Sequence, residues 1–197
     1  MINVIYLAAG LSSRYGSNKL LEKVGEKPMY RHLLDILTAM KEEEPHRYEL
    51  VVVTACDEIC EAVSELPVKV VRNDHQELGI SYSIRLGIEA CEQKGIHDHF
   101  LFCVADQPYL QEDELFGFIH MYLRSHKGIG CLSFEKTMGN PVIFQGKYRE
   151  ELLALTGDTG GKAVVKNHPQ EIYLYEADSS QSLLDLDVPE DFKKSQN

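Results

Sequence analysis

Short apolar runs alternate with amphipathic helical patterns in the first half of the chain, and this alternation constrains the fold more than any other feature. Four runs are bounded by turn residues and are too short for independent helices: Ile2–Ala8, Leu50–Thr54, Val68–Arg72 and Phe100–Ala105. The segments between them place apolar residues three and four positions apart, as helices do: Pro28–Lys41, Asp57–Glu65 and Ser81–Gln93. Consecutive strand–helix–strand units connect parallel strands through right-handed crossovers. The alternation therefore predicts a parallel sheet covered by helices on both faces.

The second half of the chain has a less regular order of elements. After Pro108 the pattern predicts a helix at Glu112–Ser125, strands at Gly128–Phe134 and Pro141–Phe144, helices near Lys147–Ala154 and Gly160–Lys166, and a strand at Glu171–Glu176. We expect this part to add an antiparallel edge to the sheet. The segment Leu183–Asn197 predicts a short strand followed by a helix with Pro189 in its first turn. The predicted fold class is a three-layer α/β/α domain with a mostly parallel sheet.

Composition narrows the range of functions. The chain has 197 residues, of which 44% are hydrophobic, and contains no linker or repeat, so we expect a single domain over residues 1–197. No apolar run approaches the roughly 20 residues that span a bilayer, and no signal peptide is apparent. Five cysteines without a secretory signal predict reduced thiols and a cytoplasmic protein. The net charge of −11 disfavours binding to nucleic acid or to an anionic membrane.

The loop after the first predicted strand has the composition of a phosphate-binding site. It reads Leu7-Ala8-Ala9-Gly10-Leu11-Ser12-Ser13-Arg14-Tyr15-Gly16-Ser17-Asn18-Lys19. Its small residues let a ligand approach the backbone N–H groups, while Arg14 and Lys19 neutralise phosphate charge. It matches neither the G-x-x-x-x-G-K-[ST] loop nor the G-x-G-x-x-G fingerprint. The alternative is a plain turn with surface cations.

Two further segments place polar groups at the same predicted edge of the sheet. Gly79 opens a predicted helix, and Ser81 and Ser83 follow it, so their hydroxyls either contact a ligand or only cap the helix. Asp106 stands just past the end of a central predicted strand, where open parallel sheets bind their ligands. A carboxylate there is a candidate ligand for Mg²⁺, and Mn²⁺ accepts the same oxygen donors.

These segments together resemble the signatures of one family. The first loop resembles L-A-A-G-x-S-x-R-M-G-x-x-K of the molybdenum cofactor cytidylyltransferases and guanylyltransferases, with Tyr15 as its one departure. Gly79–Arg85 resembles the G-M-S-x-S-L segment of the cytidylyltransferase branch. The guanylyl branch usually carries L-A-G-G and G-P-L-A-G instead, so the resemblance favours a molybdenum cofactor cytidylyltransferase of the MocA/MobA-like NTP transferase family.

The resemblance implies a fold, a reaction and a cofactor. The fold is that of the nucleotide-diphospho-sugar transferases, which is Rossmann-like. The reaction is transfer of CMP from CTP to molybdopterin, forming molybdopterin cytosine dinucleotide and pyrophosphate, with possible transient contact to a molybdenum hydroxylase. Mg²⁺ would be held by Asp106 and by Asp187, which lies in a segment similar to D-I-D-T-P-E-D; on spacing alone Asp187 could instead only cap a helix.

The resemblance also assigns roles to individual residues. Arg14, Lys19 and Asp106 would be the catalytic residues. The predicted nucleotide contacts are Leu7, Ala8, Ala9, Gly10, Ser12, Arg14, Lys19, Gly79, Ser81 and Ser83. Two segments similar to G-[HN]-P-V-x-F and G-D-x-G-A-R would face the second substrate through Asn140, Gly160 and Lys162. Lys162 replaces the family's arginine, which keeps the charge but loses planar bidentate recognition.

Three other functions stay open. A nucleotidyltransferase of the same fold could use GTP or another phosphorylated acceptor. A binding protein could deliver the finished cofactor to a molybdenum hydroxylase without catalysis. A dehydrogenase is the least favoured class because the dinucleotide fingerprint is missing.

Overall fold

A computed structural model of the chain describes residues 1–10, 18–92 and 95–186. Its strands are β1 (Ile2–Ala8), β2 (Lys23–Val24), β3 (Lys27–Pro28), β4 (Tyr48–Thr54), β5 (Lys69–Arg72), β6 (His99–Val104), β7 (Ile129–Phe134), β8 (Thr137–Gln145) and β9 (Ile172–Glu176). Its α-helices are α1 (Met29–Glu43), α2 (Asp57–Val63), α3 (Ile80–Ala90), α4 (Glu112–Ser125), α5 (Arg149–Leu153) and α6 (Lys162–Asn167). These bounds agree with the sequence pattern to within a few residues, except for the small β2–β3 hairpin, which was not predicted.

Seven strands form one sheet in the order β5-β4-β1-β6-β8-β7-β9. β1 pairs in parallel with β4 on one side and with β6 on the other. After β1 the chain first adds β4 and β5 on one side of the sheet and then crosses to add β6 on the other side. That reversal of strand order creates a crevice at the carboxyl ends of the strands, which is the usual ligand position in doubly wound sheets. The predicted α/β class with a mostly parallel sheet is confirmed.

The antiparallel strand does not lie at the predicted edge. Only β8, among the described strands of this sheet, runs against its neighbours, and it lies between β6 and β7. The edge strand β9 is parallel to β7. Glu135 and Lys136 join β7 to β8 with positive φ angles of 48° and 67°, a conformation that matches tight hairpin turns. The hairpin makes β8 antiparallel to β7. The apolar residues of β8 also pair it with β6, again in antiparallel orientation.

Alternation along the strands separates two cores. In β1, Val4 and Tyr6 face the layer that holds α1, α2 and α4. Ile5 and Leu7 face the opposite layer, where α3, α5 and α6 pack. Strand side chains alternate between faces, so Ala9 falls on the α3 side and Ala8 on the α1 side. The local sequence thus decides which residues of the first loop can face α3.

The chain after β9 differs from its prediction where it is described. The short strand predicted to begin at Leu183 is not formed in the described residues: Leu183 ends a 3₁₀ turn over Ser180–Leu183, and residues 184–186 lie in no strand. The predicted helix after Pro189 lies outside the described residues. No helix in the described ranges has the length and apolar character required to cross a membrane.

Candidate active site

A cavity of about 380 Å³ opens at the carboxyl ends of β1 and β6. The described residues that line it come from the first loop, the start of α3, the end of β6 and the loop before α6. They are Leu7, Ala9, Gly10, Lys19, Leu20, Gln76, Gly79, Ile80, Ser83, Val104, Ala105, Asp106 and Asp158. Several distant sequence motifs therefore meet at one place.

Lys19 and Asp106 form an ion pair in this cavity. Lys19 Nζ lies 3.0 Å from Asp106 Oδ2, and the two side chains are 14% and 26% exposed. The neighbouring Leu20 is buried, and Asn18 Oδ1 accepts a hydrogen bond from its backbone N–H, which fixes the 3₁₀ turn that carries Lys19. A cation and a carboxylate are thus held side by side, largely shielded from solvent.

The first loop meets the cavity through alternate residues. Leu7 and Ala9 line it, whereas Ala8 packs on the other face of the sheet and its carbonyl accepts a hydrogen bond from Thr54 Oγ1. Gly10 also lines the cavity. Ala8, which was predicted to contact the nucleotide, therefore does not line the cavity. Ser12 and Arg14, predicted to continue this wall, lie outside the described residues.

The start of α3 meets the cavity through Gly79, Ile80 and Ser83. Gly79 has φ +78° and ψ −177°, a conformation that essentially only glycine adopts. A Cβ at this position would overlap the carbonyl group of Gly157. Ser83 Oγ accepts a hydrogen bond from the buried Asn73 Nδ2 at 2.9 Å. Ser81 does not line the cavity; it is buried, and its backbone N–H donates to the Gly157 carbonyl.

A second cavity of about 340 Å³ adjoins the first. The two share the wall residues Leu7, Ile80, Val104 and Asp158. The second cavity is lined further by apolar side chains that include Phe102 and Phe144, and by Asn140, Gly160 and Lys162. The three residues predicted to face a second substrate are thus brought together, next to the residues predicted to face the nucleotide.

Asp106 is the one predicted metal ligand that the structure describes, since Asp187 lies beyond the described ranges. Within residues 1–10, 18–92 and 95–186, no group of three His, Cys, Asp or Glu side chains could enclose a metal ion. Asp106 nevertheless has the required chemistry, because Mg²⁺ uses one or two protein carboxylates and takes its other ligands from water and phosphate. The donor set fits such an ion.

The buried thiols and phenols near the site face away from the cavity. Cys103 lies on β6 in the core on the α1 side, and burial raises the pKa of its thiol, so it stays neutral. Tyr6 donates a hydrogen bond to the Tyr30 carbonyl at 2.7 Å, and burial raises its pKa. All five cysteines are free thiols, as predicted. Cys103 and Tyr6 therefore support the fold and offer the cavity no nucleophile.

Sequence reasoning missed two polar side chains of the first cavity wall, those of Gln76 and Asp158. Gln76 Nε2 donates to the Ala9 carbonyl at 3.2 Å, and nothing in its local sequence marks it. Asp158 lines both cavities, and its Oδ1 lies near Gly79. Asp158 could have been found, because it stands inside the G-D-x-G segment that the family signature marks.

The fold and the small-residue loop with its adjacent cation and carboxylate define a nucleotide-binding α/β transferase. Residues 4–172 match the MobA-like NTP transferase domain, so the chain belongs to that family and is a nucleotidyltransferase. A search of curated proteins finds no match.

Solved structures share this fold over nearly the whole chain. Rv0371c from Mycobacterium tuberculosis has a TM-score of 0.77 at 20% identity, and the match covers 98% of this chain and 96% of that one. A nucleotidyl transferase from Methanothermobacter, Mth528, has a TM-score of 0.77 at 22% identity, covering 98% and 95%. The 4-diphosphocytidyl-2C-methyl-D-erythritol synthase from Anaerococcus prevotii has a TM-score of 0.75 at 16% identity, covering 99% and 94%. Rv0371c has also been solved in complex with manganese.

Proposed function

We propose that this protein transfers CMP from CTP to molybdopterin, giving molybdopterin cytosine dinucleotide and pyrophosphate. The observation that carries the proposal is the pair of adjoining cavities with one shared wall. One cavity is lined by Ala9, Gly10 and the Lys19–Asp106 pair, which suit a triphosphate. The other is lined largely by apolar side chains, together with Asn140, Lys162 and the carboxylate of Asp158. Its amide and its cation suit a flat heterocycle that carries a phosphate.

The reaction needs positioning more than a strong base. The acceptor's phosphate oxygen attacks the α-phosphorus of CTP, and the bond to the β-phosphate oxygen breaks to release pyrophosphate. A phosphate monoester has its second pKa near 6, so the attacking oxygen is largely anionic at neutral pH. The main task is to bring two anions together and to stabilise charge on the α-phosphate and the leaving group. Lys19, Arg14 and the backbone N–H groups of the first loop are the groups assigned to that task.

A divalent ion belongs at Asp106 in this proposal. Asp106 and Asp187 would hold Mg²⁺ or Mn²⁺, which neutralises phosphate charge when bound. The manganese complex of Rv0371c supports the use of such an ion in this fold. Lys19 orients the Asp106 carboxylate through the 3.0 Å ion pair and can exchange that contact for a phosphate oxygen.

Preference for cytosine rests on the first loop and the start of α3. Ala9 is 7% exposed and lines the first cavity, where the guanylyl branch has a glycine and therefore more room for a base. Ser83, held by Asn73, offers a hydroxyl in the same cavity. The diphosphocytidyl product named for the Anaerococcus structure supports cytidylyl chemistry on this fold.

The second cavity favours an acceptor that combines an aromatic face with an anionic end. Phe102 and Phe144 pack edge to face with ring centroids 5.9 Å apart and form an apolar wall. Asn140 offers hydrogen bonds to the edge of a heterocycle, and Lys162 offers a charge to a phosphate. The acceptor's phosphate would lie toward the shared wall, beside the α-phosphate of CTP.

Pyrophosphate release tests the proposal. The purified protein is given Mg²⁺ and CTP, GTP, ATP or UTP, each with and without molybdenum-loaded molybdopterin, and Asp106→Asn serves as the inactive control. We expect release only with CTP and only with the pterin, and none from Asp106→Asn because the metal is lost. Release with GTP would reject the base assignment while keeping the reaction class. Tight binding of the dinucleotide without any release would favour the delivery function instead.

A further inference from the structure

Gln76 places an amide in the wall of the first cavity, beside Ala9. It is half-buried in the 3₁₀ turn Gln76–Leu78, and its Nε2 donates a hydrogen bond to the Ala9 carbonyl at 3.2 Å. Nε2 carries a second hydrogen, and neither that hydrogen nor Oε1 has a hydrogen-bond partner among the described residues. Because the side chain lines the cavity, a donor and an acceptor are available there to a ligand.

The Ala9 carbonyl fixes which end of this amide donates. A glutamine amide without such a contact can make half a turn and exchange its oxygen and its nitrogen, because the two ends are nearly equal in size. At Gln76 the exchanged orientation would bring Oε1 against the Ala9 oxygen, so that one hydrogen bond is lost and two acceptors meet. Gln76 therefore presents its donor and its acceptor in one order only.

The turn that carries Gln76 is itself held in place by the buried Asn73. The Asn73 backbone N–H donates to the Thr54 carbonyl at 2.8 Å, and Asn73 Oδ1 accepts a hydrogen bond from the His75 backbone N–H at 2.9 Å. Thr54 Oγ1 donates to the Ala8 carbonyl at 3.0 Å. The end of β1 and the start of the turn are thus tied to the same end of β4. The Gln76 amide is therefore held in position before any ligand binds.

A fixed order of donor and acceptor distinguishes cytosine from uracil. Cytosine has an acceptor at N3 beside an amino donor on C4, whereas uracil has a donor at N3 beside an acceptor on C4. An ammonium donates to cytosine N3 and to uracil O4 alike, a carboxylate accepts from either base, and a hydroxyl does both. The described polar side chains of the first cavity are Lys19, Gln76, Ser83, Asp106 and Asp158. Among them, Gln76 is the one amide.

We propose that Gln76 selects cytosine over uracil: its Nε2–H donates to N3 of the base, and its Oε1 accepts a hydrogen bond from the amino group. This inference deepens the proposed function and rests on it, because it places the base of CTP beside Ala9. Uracil in the same place would set donor against donor and acceptor against acceptor. A bidentate contact of this kind discriminates against the wrong base by about 5- to 150-fold.

Dissociation constants for CTP and UTP, measured by isothermal titration calorimetry with Mg²⁺ and without the acceptor, test this role without turnover. We expect Gln76→Met, which keeps the length of the side chain and removes the amide, to lower the preference for CTP over UTP by about 5- to 150-fold. Glu77→Met is the matched control, because it places the same side chain at the next, exposed position of the turn, which does not line the cavity. It should keep the wild-type preference. An unchanged preference in Gln76→Met overturns the role.

A nucleotide that lacks one atom of the base gives a second test, which decides the matter even if Gln76→Met does not fold. In 3-deaza-CTP a C–H group replaces N3, and the amino group is kept. Wild type should bind it at least about fivefold more weakly than CTP, whereas Gln76→Met should bind the two alike, because the contact is already lost. Equal binding of the two by wild type overturns the contact at N3. If wild type does not prefer CTP to UTP, the cytidylyl reaction and this inference both fail; if wild type prefers CTP and Gln76→Met keeps that preference, only this inference fails.

Discussion

At the scale of single residues, Lys19 is the charge that the described part of the first cavity offers to a phosphate. It is only 14% exposed, so its interactions are screened less than those of surface lysines. We expect Lys19→Ala to lower kcat/KM for CTP by about 10²-fold, the usual effect of losing one preorganised electrostatic contact. Pyrophosphate release measures the loss. Lys23→Ala, an exposed lysine four residues on, should keep full activity, and equal activity of both variants would contradict the assignment.

Ala9 tests base selection at the same scale. Its side chain is a single methyl group, nearly buried in the wall of the cavity, and the Ala9 carbonyl also fixes Gln76. Removing the methyl leaves more room for a purine, so Ala9→Gly should raise the kcat/KM ratio of GTP to CTP. The ratio is measured with both nucleotides in competition. An unchanged ratio would show that base choice is made elsewhere in the cavity.

At the scale of elements, the junction between α3 and the loop before α6 depends on Gly79. Its positive φ is unsuited to other residues, and its backbone leaves no room for a Cβ beside Gly157. Gly79→Ala should therefore reduce the free energy of unfolding by about 3 kcal/mol or more, since conformational strain alone costs about 1–3 kcal/mol and the overlap adds to it.

Gly25 provides the control for this junction. It also has a positive φ, +63°, but an added Cβ would meet open space. Gly25→Ala measures the cost of a positive φ without the overlap, so urea unfolding should show a clearly smaller loss than for Gly79→Ala. Gly79→Ala should also raise KM for CTP, because Gly79 lines the cavity. Equal losses of stability would mean that the loop moves aside without cost.

At the scale of the whole molecule, β6 begins with a half-buried histidine whose titration is linked to global stability. Burial, and next the N-terminal ammonium, lower the pKa of His99 below its usual 6.5, while Asp98 partly opposes this shift. As the pH falls, the His99 imidazole is therefore protonated in the unfolded chain before it is protonated in the folded protein. The free energy of unfolding decreases as the pH falls from about 6.5 through the lowered pKa. Urea unfolding at about pH 5 and pH 7.5 should show a smaller pH dependence for His99→Gln than for wild type. Substituting the exposed His46 is the control.

The layered fold was predictable because it depends on local patterns. The strand runs, the helical spacing and the crossover rule together define a doubly wound sheet. The position of β8 was not predictable from those patterns. A hairpin between Phe134 and Thr137 requires only that β7 and β8 be antiparallel. Whether β8 or β7 pairs with β6 is decided by the packing of apolar side chains across the whole sheet.

A residue of the candidate site was predictable where the short sequence segment around it already suggests a ligand contact. Lys19, Asp106 and Asn140 each stand in a segment whose residue types suggest a ligand contact. Gln76 belongs to the site only because a 3₁₀ turn brings it against the Ala9 carbonyl, a contact between residues 67 positions apart. Ser81 shows the converse, since its spacing suits a ligand contact and its backbone instead ties α3 to the Gly157 carbonyl. Such pairings arise from tertiary packing.

The shared wall of the two cavities has a kinetic consequence. In the proposed reaction the product would be a bivalent ligand, because its nucleotide half would occupy the first cavity and its acceptor half the second. A short covalent link gives an effective concentration in the millimolar range, so the joined molecule should be retained far longer than either substrate. Release of the dinucleotide would then limit the steady-state rate, and a burst of pyrophosphate in the first turnover would reveal it.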